Sequence, residues 1–478
     1  MTITATVPAA PPASETGPAP RPAGRRRKAI AFGLLVSAQF VVMLDTSIVN
    51  VALPSIQADL AIGPAGLTWV VNAYVLAFGG LLLLSGRAAD LFGRRRMFVA
   101  GSATFTVGTL LAAAAADQWL LLAGRVVQGV GAAALSPAAM SLLLVTFTGP
   151  ARAKAMSIWG AASAVGGATG VCLGGVLCGS FGWSSVFLVT VPVSVLAVIS
   201  AHWVLDEPAR AGRRGFDWRG AASSTGAVVA LVHAALGAAG GTWSSPSVWS
   251  SFVAFLALAA AFVRIERRAA DPLVRLELFG SSVLSNGVWL ALVGGSARAS
   301  TFVLVALYLQ QALHLAPQRA GLAMVPTSIT GFVVSLMLLP RALRRLGARH
   351  TLVVGLVVLA AGQLWLAFGP LGSSYLVAVL PGLLLVATGV ALSFTPTTMV
   401  IAAALPDTHM GLASGMAGSS TQVGAALGTA GLTAVGLAVS GAGAGVLTPA
   451  GFTAAFTAAA VLSLVAATIG RAFAGRPS

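Results

Sequence analysis

The amino-acid sequence predicts an all-α protein that crosses a membrane many times. Only 8% of its 478 residues are charged, 57% are hydrophobic, and the mean hydropathy is +0.92. A soluble domain carries about a quarter charged residues, so this composition cannot cover a globule in water. Apolar runs of the roughly 20 residues that span a bilayer follow one another along the chain, and most charges fall between them. The composition therefore excludes a soluble enzyme, a nucleic-acid-binding module and a disordered scaffold.

The chain divides into a tail and fourteen predicted transmembrane helices. Residues 1–28 are rich in proline and alanine and have no apolar face to bury, so we expect a disordered cytoplasmic tail. Residues 29–210 are predicted to form an N-terminal six-helix bundle, 211–275 two additional transmembrane helices, and 276–478 a C-terminal six-helix bundle. The predicted spans are 30–53, 66–85, 97–116, 119–145, 153–178, 184–204, 219–238, 247–263, 283–309, 320–339, 351–369, 373–394, 411–437 and 451–470.

The basic residues give these helices an orientation. With the N-terminus inside, 25 of the 28 lysines and arginines fall in segments on the inner side. Arg319 is the single one outside, and Arg125 and Arg298 lie within helices. This asymmetry follows the positive-inside rule, and an even number of helices returns the chain to its starting side. The sequence thus predicts a multi-pass protein of a bacterial plasma membrane with both termini in the cytoplasm.

Two loops reveal an internal repeat. Residues 86–101, GRAADLFGRRRMFVAG, share six identities in sixteen positions with residues 340–355, PRALRRLGARHTLVVG. Both segments join two helices on the inner side, so the simplest arrangement is two parallel six-helix bundles with two helices inserted between them. Parallel repeats of this kind are similar to those of major facilitator transporters, in which the substrate lies between the halves. Chance similarity of two loops rich in arginine and glycine is the alternative.

Asp45 is the one acid predicted to lie well inside a helix, and Arg125 is its candidate partner. A carboxylate in hydrocarbon costs about 2.5–3.5 kcal/mol even on insertion scales. At about 1.5 Å per residue, both residues should lie roughly 9–12 Å from the outer ends of their helices. Gln128 follows one turn after Arg125 on the same face. Since its environment can shift its proton affinity, Asp45 is a candidate for proton coupling; a purely structural ion pair is the alternative.

Three motifs resemble those of the fourteen-helix drug:proton antiporters of the major facilitator superfamily. They are GRAADLFGRRR after the second helix, LDTSIVNVALP in the first and RVVQGVGAAALSP in the fourth. Residues 308–326, YLQQALHLAPQRAGLAMVP, are similar to a stretch of actinobacterial members. The resemblance implies that the first motif is a conformational latch in which Asp90 pairs with loop arginines or with a helix N-terminus. The latch residues would be Gly86, Arg87, Asp90, Gly93, Arg94 and Arg95.

The fifth helix departs from the family pattern. Its glycine signature stands as Gly166, Gly170, Gly174 and Gly175, with Val171 where the antiporter signature has proline. Small residues at this spacing still favour close helix packing. Without proline the helix keeps a backbone hydrogen bond, so the expected bend and the link to antiport are weakened.

Polar side chains within the helices are candidates for lining a substrate cavity, because such sites combine an apolar wall with a few polar groups. Arg298 has no acid inside the neighbouring helices of the second half, so it could attract an anionic or phenolic substrate group, or pair with carbonyl groups. The candidates are Gln39, Asn50, Asn72, Tyr74, Gln128 and Arg298.

The resemblance and the buried charges together predict a transporter and not an enzyme. We expect export of a hydrophobic small molecule, such as an antibiotic or toxic metabolite, in exchange for protons, with no cofactor, no metal site and no nucleic-acid partner. A monomer embedded in lipid would suffice, since one chain contains both halves. Proton-coupled uptake or facilitated diffusion of a metabolite is the alternative, and a non-transporting receptor is a third hypothesis. The chain has no GxxxxGK[ST] loop for nucleotide-driven pumping.

Overall fold

The computed structural model describes residues 24–207, 217–239, 245–269, 272, 274, 276–369, 375–441 and 446–472. All regular secondary structure in these ranges is helical, and each of the fourteen predicted spans has a helical counterpart. Eleven helices are long and apolar enough to cross a membrane, or twelve when the bent α5 is counted as one span. The predicted tail lies outside the described residues up to residue 23.

The first half of the chain contains seven helices. They are α1 (Arg25–Asp59), α2 (Pro64–Phe92), α3 (Arg94–Ala113), α4 (Gln118–Thr146), α5 (Gly149–Phe181), α6 (Ser184–Leu188) and α7 (Val191–Val204). The short α6 and α7 together take the place of the sixth predicted span. Helix α1 begins four residues before the predicted boundary at residue 29, because arginine and lysine favour helix and continue it back from the apolar run.

The second half follows two inserted helices, α8 (Trp218–Ala239) and α9 (Pro246–Glu266). Its helices are α10 (Ser282–Gln311), α11 (Pro317–Ala323), α12 (Val325–Val333), α13 (Leu339–Phe368), α14 (Tyr375–Ala378), α15 (Leu380–Ala403), α16 (Met410–Ser440) and α17 (Pro449–Ala472). A π-helical turn, Val334–Leu338, joins α12 to α13. Helix α13 turns sharply at Gly347, whose φ of 74° lies outside the helical region.

The segment predicted as a loop after α2 is helical except at one residue. Helix α2 continues to Phe92, and Gly93, with φ 107°, alone separates it from α3. A positive φ strains any residue with a side chain, so glycine ends the helix here. The apolar run fixed the predicted end at residue 85, but Ala88, Ala89 and Leu91 continue the helix beyond it.

Glycine pairs give the internal repeat a structural counterpart. Glycines seven residues apart on α3, Gly101 and Gly108, pack against the backbone of α4. On α13, Gly355 and Gly362 pack in the same way against α15. A Cβ atom on Gly108 would lie 2.4 Å from the nitrogen of Gln128, and one on Gly362 would lie 2.7 Å from the nitrogen of Val386. The same helix–helix contact thus occurs once in each half, with Val386 at the position of Gln128.

The two halves meet along α2 and α16 on one side and along α5, α12 and α15 on the other. A Cβ atom on Gly86 would lie 2.3 Å from the carbonyl oxygen of Gly411, so the crossing of α2 and α16 is a backbone contact. On the other side, a Cβ atom on Gly160 would lie 2.8 Å from Oγ1 of Thr395. We call the end of the bundle that carries Arg94, Arg95, Arg152 and Arg344 the arginine-rich end.

Helix α8 contacts both halves, whereas α9 packs mainly on α8. Val229 of α8 lies against Gly80 of α2, and Ala235 and Ala238 cluster with Ala430 of α16. Only 6% of the most apolar 18-residue stretch of α9 is buried, so nearly all of that stretch is available to lipid. Its exposed apolar side chains include Trp249, Phe252, Val253 and Leu256.

Candidate functional site

A polar network is buried between α1, α3 and α4, and it contains the predicted ion pair. Nη1 of Arg125 lies 2.8 Å from Oδ2 of Asp45, and both side chains are almost fully buried. Nε2 of Gln128 donates to Oδ1 of Asp45 at 3.1 Å and to Oγ1 of Thr109 at 2.8 Å. Arg125 also donates to the carbonyl oxygen of Val70 and to Oε1 of Gln128. The structure thus brings Asp45 and Arg125 together, and each oxygen of the carboxylate accepts from one donor.

Helix packing holds this network rigid. Gly108 and Gly124 bring α3 and α4 into backbone contact beside Gln128. The Tyr74 ring of α2 covers the guanidinium of Arg125, with 4.4 Å between Cζ and the ring centroid. Tyr74 is 1% exposed, so it closes this side of the network to water. Charges held in such a dry site interact far more strongly than they would in water.

The fifth-helix glycines support α1 at the level of Asp45. Cβ atoms on Gly166 and Gly170 would lie 2.6 Å and 2.8 Å from the carbonyl oxygens of Phe40 and Leu44. Gly174 packs on Ile48, whereas Gly175 has no neighbour within 4 Å. The two parts of α5, Gly149–Gly167 and Cys172–Phe181, are bent by 40°. Helix α5 therefore has a bend although Val171 stands in place of the family's proline.

At the arginine-rich end, Asp90 joins α2 to the N-terminus of α16. Its carboxylate accepts from the backbone nitrogens of Gly411 and Leu412 at 2.9 and 2.8 Å. Nη2 of Arg94 lies 2.9 Å from Oδ1 of Asp90 and also donates to the carbonyl oxygen of Asp407. An anion at a helix N-terminus is stabilised by the unpaired backbone N–H groups and the helix dipole. Both predicted partners of Asp90 are present, and they join one half of the chain to the other.

The other latch residues occupy different positions around this contact. Arg87 is 4% exposed on α2. Arg95 points to the C-terminal end of α7, where it lies 3.6 Å from Glu207 and donates to the carbonyl oxygen of Leu205. Arg152 of α5 lies 3.7 Å from the exposed Asp407, and this ion pair is a second contact between the halves. The charges at this end thus hold the two halves together at two places.

A cavity of about 460 Å³ lies between the halves. Helices α1 and α5 line it on one side and α10, α12 and α15 on the other. Its wall is mostly apolar, with Phe302, Phe394 and Met324 as the large side chains and a few hydroxyl groups. These hydroxyl groups belong to Ser47, Ser163, Thr327, Ser328, Ser335 and Thr395. This combination is typical of a small-molecule site.

None of the predicted cavity residues lines this cavity. Tyr74 and Gln128 belong to the polar network, and Nε2 of Gln39 donates to the lining Ser163 at 2.8 Å. Asn50 is exposed on α1, one turn beyond Thr46, whose carbonyl oxygen accepts from it. Asn72 is half-buried on α2, away from the lining helices.

Arg298 lies directly behind the cavity wall. It is 4% exposed, and its guanidinium folds back over Gly294 of its own helix. Its Cζ lies 5.9 Å from the ring centroid of Phe394, and its Nη1 lies 3.5 Å from Oγ of Ser393. Nη2 has no hydrogen-bond partner. Among the described residues, Arg298 therefore has no counter-ion although it is buried.

Sequence reasoning missed two neutral members of the polar network. Thr109 and the carbonyl group of Val70 complete the polar network, but a threonine and a backbone group carry no charge signal. Thr109 follows Gly108, and the glycine spacing that marks the packed face of α3 could have identified it. Among the described residues, no group of three or more His, Cys, Asp or Glu side chains could hold a metal ion.

The chain is similar to known proteins over most of its length. Residues 35–429 match the family model described as Major Facilitator Superfamily. The cephamycin export protein CmcT of Amycolatopsis lactamdurans is 36% identical over 417 residues, which are 86% of this chain and 85% of that protein. The puromycin resistance protein pur8 of Streptomyces alboniger is 36% identical over 406 residues, or 84% of this chain and 80% of that one.

The fold also matches solved structures. The human organic anion transporter MFSD10 superposes with a TM-score of 0.68 at 16% sequence identity. The match covers 94% of this chain and 100% of the other. At this identity the likeness concerns the fold alone.

Proposed function

The chain belongs to the Major Facilitator Superfamily, and we propose that it exports a hydrophobic small molecule in exchange for protons. It is a transporter and not an enzyme. Two relatives at 36% identity are named for cephamycin export and puromycin resistance, which supports efflux of an antibiotic or a similar metabolite. The apolar cavity between the halves has the size and lining for such a cargo.

The buried pair of Asp45 and Arg125 is the observation that carries proton coupling. In this geometry both oxygens of the Asp45 carboxylate accept hydrogen bonds, and one of them faces the guanidinium of Arg125. Protonation would remove the charge that Arg125 neutralises and would weaken the link between α1 and α4. Proton binding in one state and release in the other would then accompany the exchange of states.

The contacts between the halves support a state in which one end of the bundle is closed. The halves are joined at the arginine-rich end by Asp90 and by Arg152, and we propose that this end faces the cytoplasm. The proposal includes fourteen membrane crossings, both termini in the cytoplasm, and function as a monomer. In this state the cytoplasmic side is closed. Opening it requires release of the carboxylate of Asp90 from the N-terminus of α16, so this contact would act as the latch.

Proton movement in proteoliposomes tests the proposal. With an acidic interior, addition of an exported compound should dissipate the gradient in wild-type vesicles and not in Asp45→Asn vesicles. Asp59→Asn is the matched control. Asp59 is the last residue of α1, accepts a hydrogen bond from Nε1 of Trp183, and lies outside the polar network. A panel of antibiotics, dyes and aromatic carboxylates supplies the compounds. Normal proton-driven export by Asp45→Asn would contradict the proposal, and inward accumulation of the compound by intact cells would favour uptake instead.

A further inference from the structure

The starting point is the contrast between Arg125 and Arg298, two buried arginines that lie away from the arginine-rich end. Arg125 is 1% exposed and has a carboxylate, an amide and a backbone carbonyl as partners. Arg298 is 4% exposed and has one hydroxyl group at 3.5 Å and an unpartnered Nη2. A buried cation normally has a counter-charge or a full set of acceptors. The protein provides these for Arg125 and not for Arg298.

No acid of the second half can supply the missing charge. After Glu277 the sequence contains a single acid, Asp407. That carboxylate is 68% exposed at the arginine-rich end, where it pairs with Arg152. The described polar side chains buried on the helices packed around α10 are neutral. On the neighbouring helices they are Thr351, Gln363, Ser393, Thr395, Thr397, Thr398, Ser414, Ser419, Thr433 and Ser463, and α10 itself adds Ser296, Ser300 and Thr301.

Gln363 illustrates that the neutral groups are already occupied. Its Nε2 donates to Oγ1 of Thr301 at 2.7 Å and its Oε1 accepts from Ser463 at 2.7 Å. Its one acceptor atom therefore already receives a hydrogen bond, and the amide carries no negative charge. A negative charge beside Arg298 has to come from a bound molecule.

The position of Arg298 makes the cavity the source of that molecule. Phe302, one turn further along α10, lines the cavity, and so does Phe394, whose ring lies beside the guanidinium. Ser393, whose Oγ accepts the hydrogen bond from Nη1 of Arg298, precedes Phe394 on α15. A movement of the Phe394 ring would bring the cavity and the guanidinium into direct contact.

We propose that Arg298 and Ser393 form a subsite for a carboxylate group of the exported molecule. The cargo is then an amphiphilic organic anion, with its apolar body against Phe302 and Phe394 and its carboxylate on the free Nη2 of Arg298. This inference rests on the proposed export function and names its substrate class. Arg125 and Arg298 then have separate tasks. Arg125 pairs with the proton-binding carboxylate of Asp45, and Arg298 binds the carboxylate of the cargo.

The charge balance of transport follows from this assignment. One proton entering and one monovalent anion leaving move two positive charges inward in each cycle. A neutral cargo would move one, and a monovalent cation none. Export of the anion is therefore driven by a negative interior potential as well as by the pH gradient.

Binding of matched probes to the purified full-length protein tests the subsite. Quenching of tryptophan fluorescence is measured with 9-anthracenecarboxylate, benzylpenicillin and cefoxitin, and with the methyl ester of each. We expect at least one acid to bind the wild type roughly ten- to hundredfold more tightly than its ester, as a charge-assisted hydrogen bond implies. The preference should disappear in Arg298→Gln and persist in part in Arg298→Lys. Arg319→Gln, which removes an exposed arginine of the same half, should retain it.

The contrary outcomes separate this inference from the proposed function. Equal affinity for acid and ester in the wild type, or an acid preference that survives in Arg298→Gln, would overturn the subsite. Proton-coupled export confined to neutral or cationic compounds would overturn it too, while leaving the export function intact. Loss of the Asp45 dependence with a retained acid preference would instead overturn proton coupling alone. The melting temperature of Arg298→Gln should be unchanged or raised, and a marked fall would show a structural partner for Arg298 and contradict the proposal.

Discussion

At the scale of single residues, Asp45 and Arg125 form a buried pair in which each side chain neutralises the other. Asp45 and Arg125 could be paired from the sequence because each is a costly charge at the same depth in neighbouring helices. Thr109 and the carbonyl of Val70 could not, since a hydroxyl or a backbone carbonyl can find a partner within its own helix, as Thr109 does at Phe105. The same reasoning identifies Arg298 as unusual, but only the structure shows that it is unpaired.

Removal of one member of the buried pair should be strongly destabilising. Arg125→Gln leaves the carboxylate of Asp45 buried without a cation, which costs about 3–5 kcal/mol. Addition of Asp45→Asn should restore much of the loss, because two neutral amides can bond one another. Denaturant unfolding of the four proteins in detergent measures both terms. A loss below about 1 kcal/mol in Arg125→Gln, with no recovery in the double variant, would contradict a stabilising pair.

At the scale of helices, the apolar runs predicted where each helix lies but did not predict the residues at which it ends. The run in α2 fixed the predicted end at residue 85, yet the helix continues to Phe92, because a helix ends where the backbone requires it and not where hydropathy falls. Gly93 marks the real end through its positive φ. In the fifth helix, the absence of the family's proline weakened the expectation of a bend. The two parts of α5 are nevertheless bent by 40°.

The crossing of α2 and α16 should respond sharply to one methyl group. Gly86→Ala places a Cβ atom 2.3 Å from the carbonyl oxygen of Gly411, and neither backbone can yield locally. The halves should separate at the arginine-rich end, which favours the alternate state. Spin labels on Arg96→Cys and Arg345→Cys, with Cys172 and Cys178 replaced by serine, report the distance between the halves at that end.

A shift of that distance distribution to longer values is expected for Gly86→Ala alone. Gly179→Ala on α5 is the matched control, because no heavy atom lies within 4 Å of the added Cβ. If the distribution of Gly86→Ala coincided with that of the parent protein, the close crossing would not control the state of the transporter.

At the scale of the whole molecule, the repeat and the distribution of charge were predictable, whereas the cavity was not. Similar loops and alternating basic gaps depend on sequence position alone. The cavity wall depends on shape: Gly160 and Ala164 line it because they are small beside helices from the other half. None of the candidate polar residues therefore lines the cavity, although Gln39 and Arg298 each contact a residue that does.

The orientation of the bundle can be tested directly. On the background without native cysteines, Arg319→Cys should react with a membrane-impermeant maleimide in intact cells, because the positive-inside rule places it outside. Arg345→Cys should react only after the membrane is permeabilised. Labelling of both in intact cells, or the reverse pattern, would invalidate the proposed topology.

The glycine contact that occurs in both halves has an evolutionary consequence. Gly101 and Gly108 on α3, like Gly355 and Gly362 on α13, keep one helix pair in a fixed register. Beside this shared contact, one copy carries Gln128 of the charged network and the other carries the apolar Val386. A duplicated ancestor could thus assign energy supply to one copy and cargo recognition to the other. Substitutions around the second copy could then change which compound is expelled without altering how the expulsion is powered.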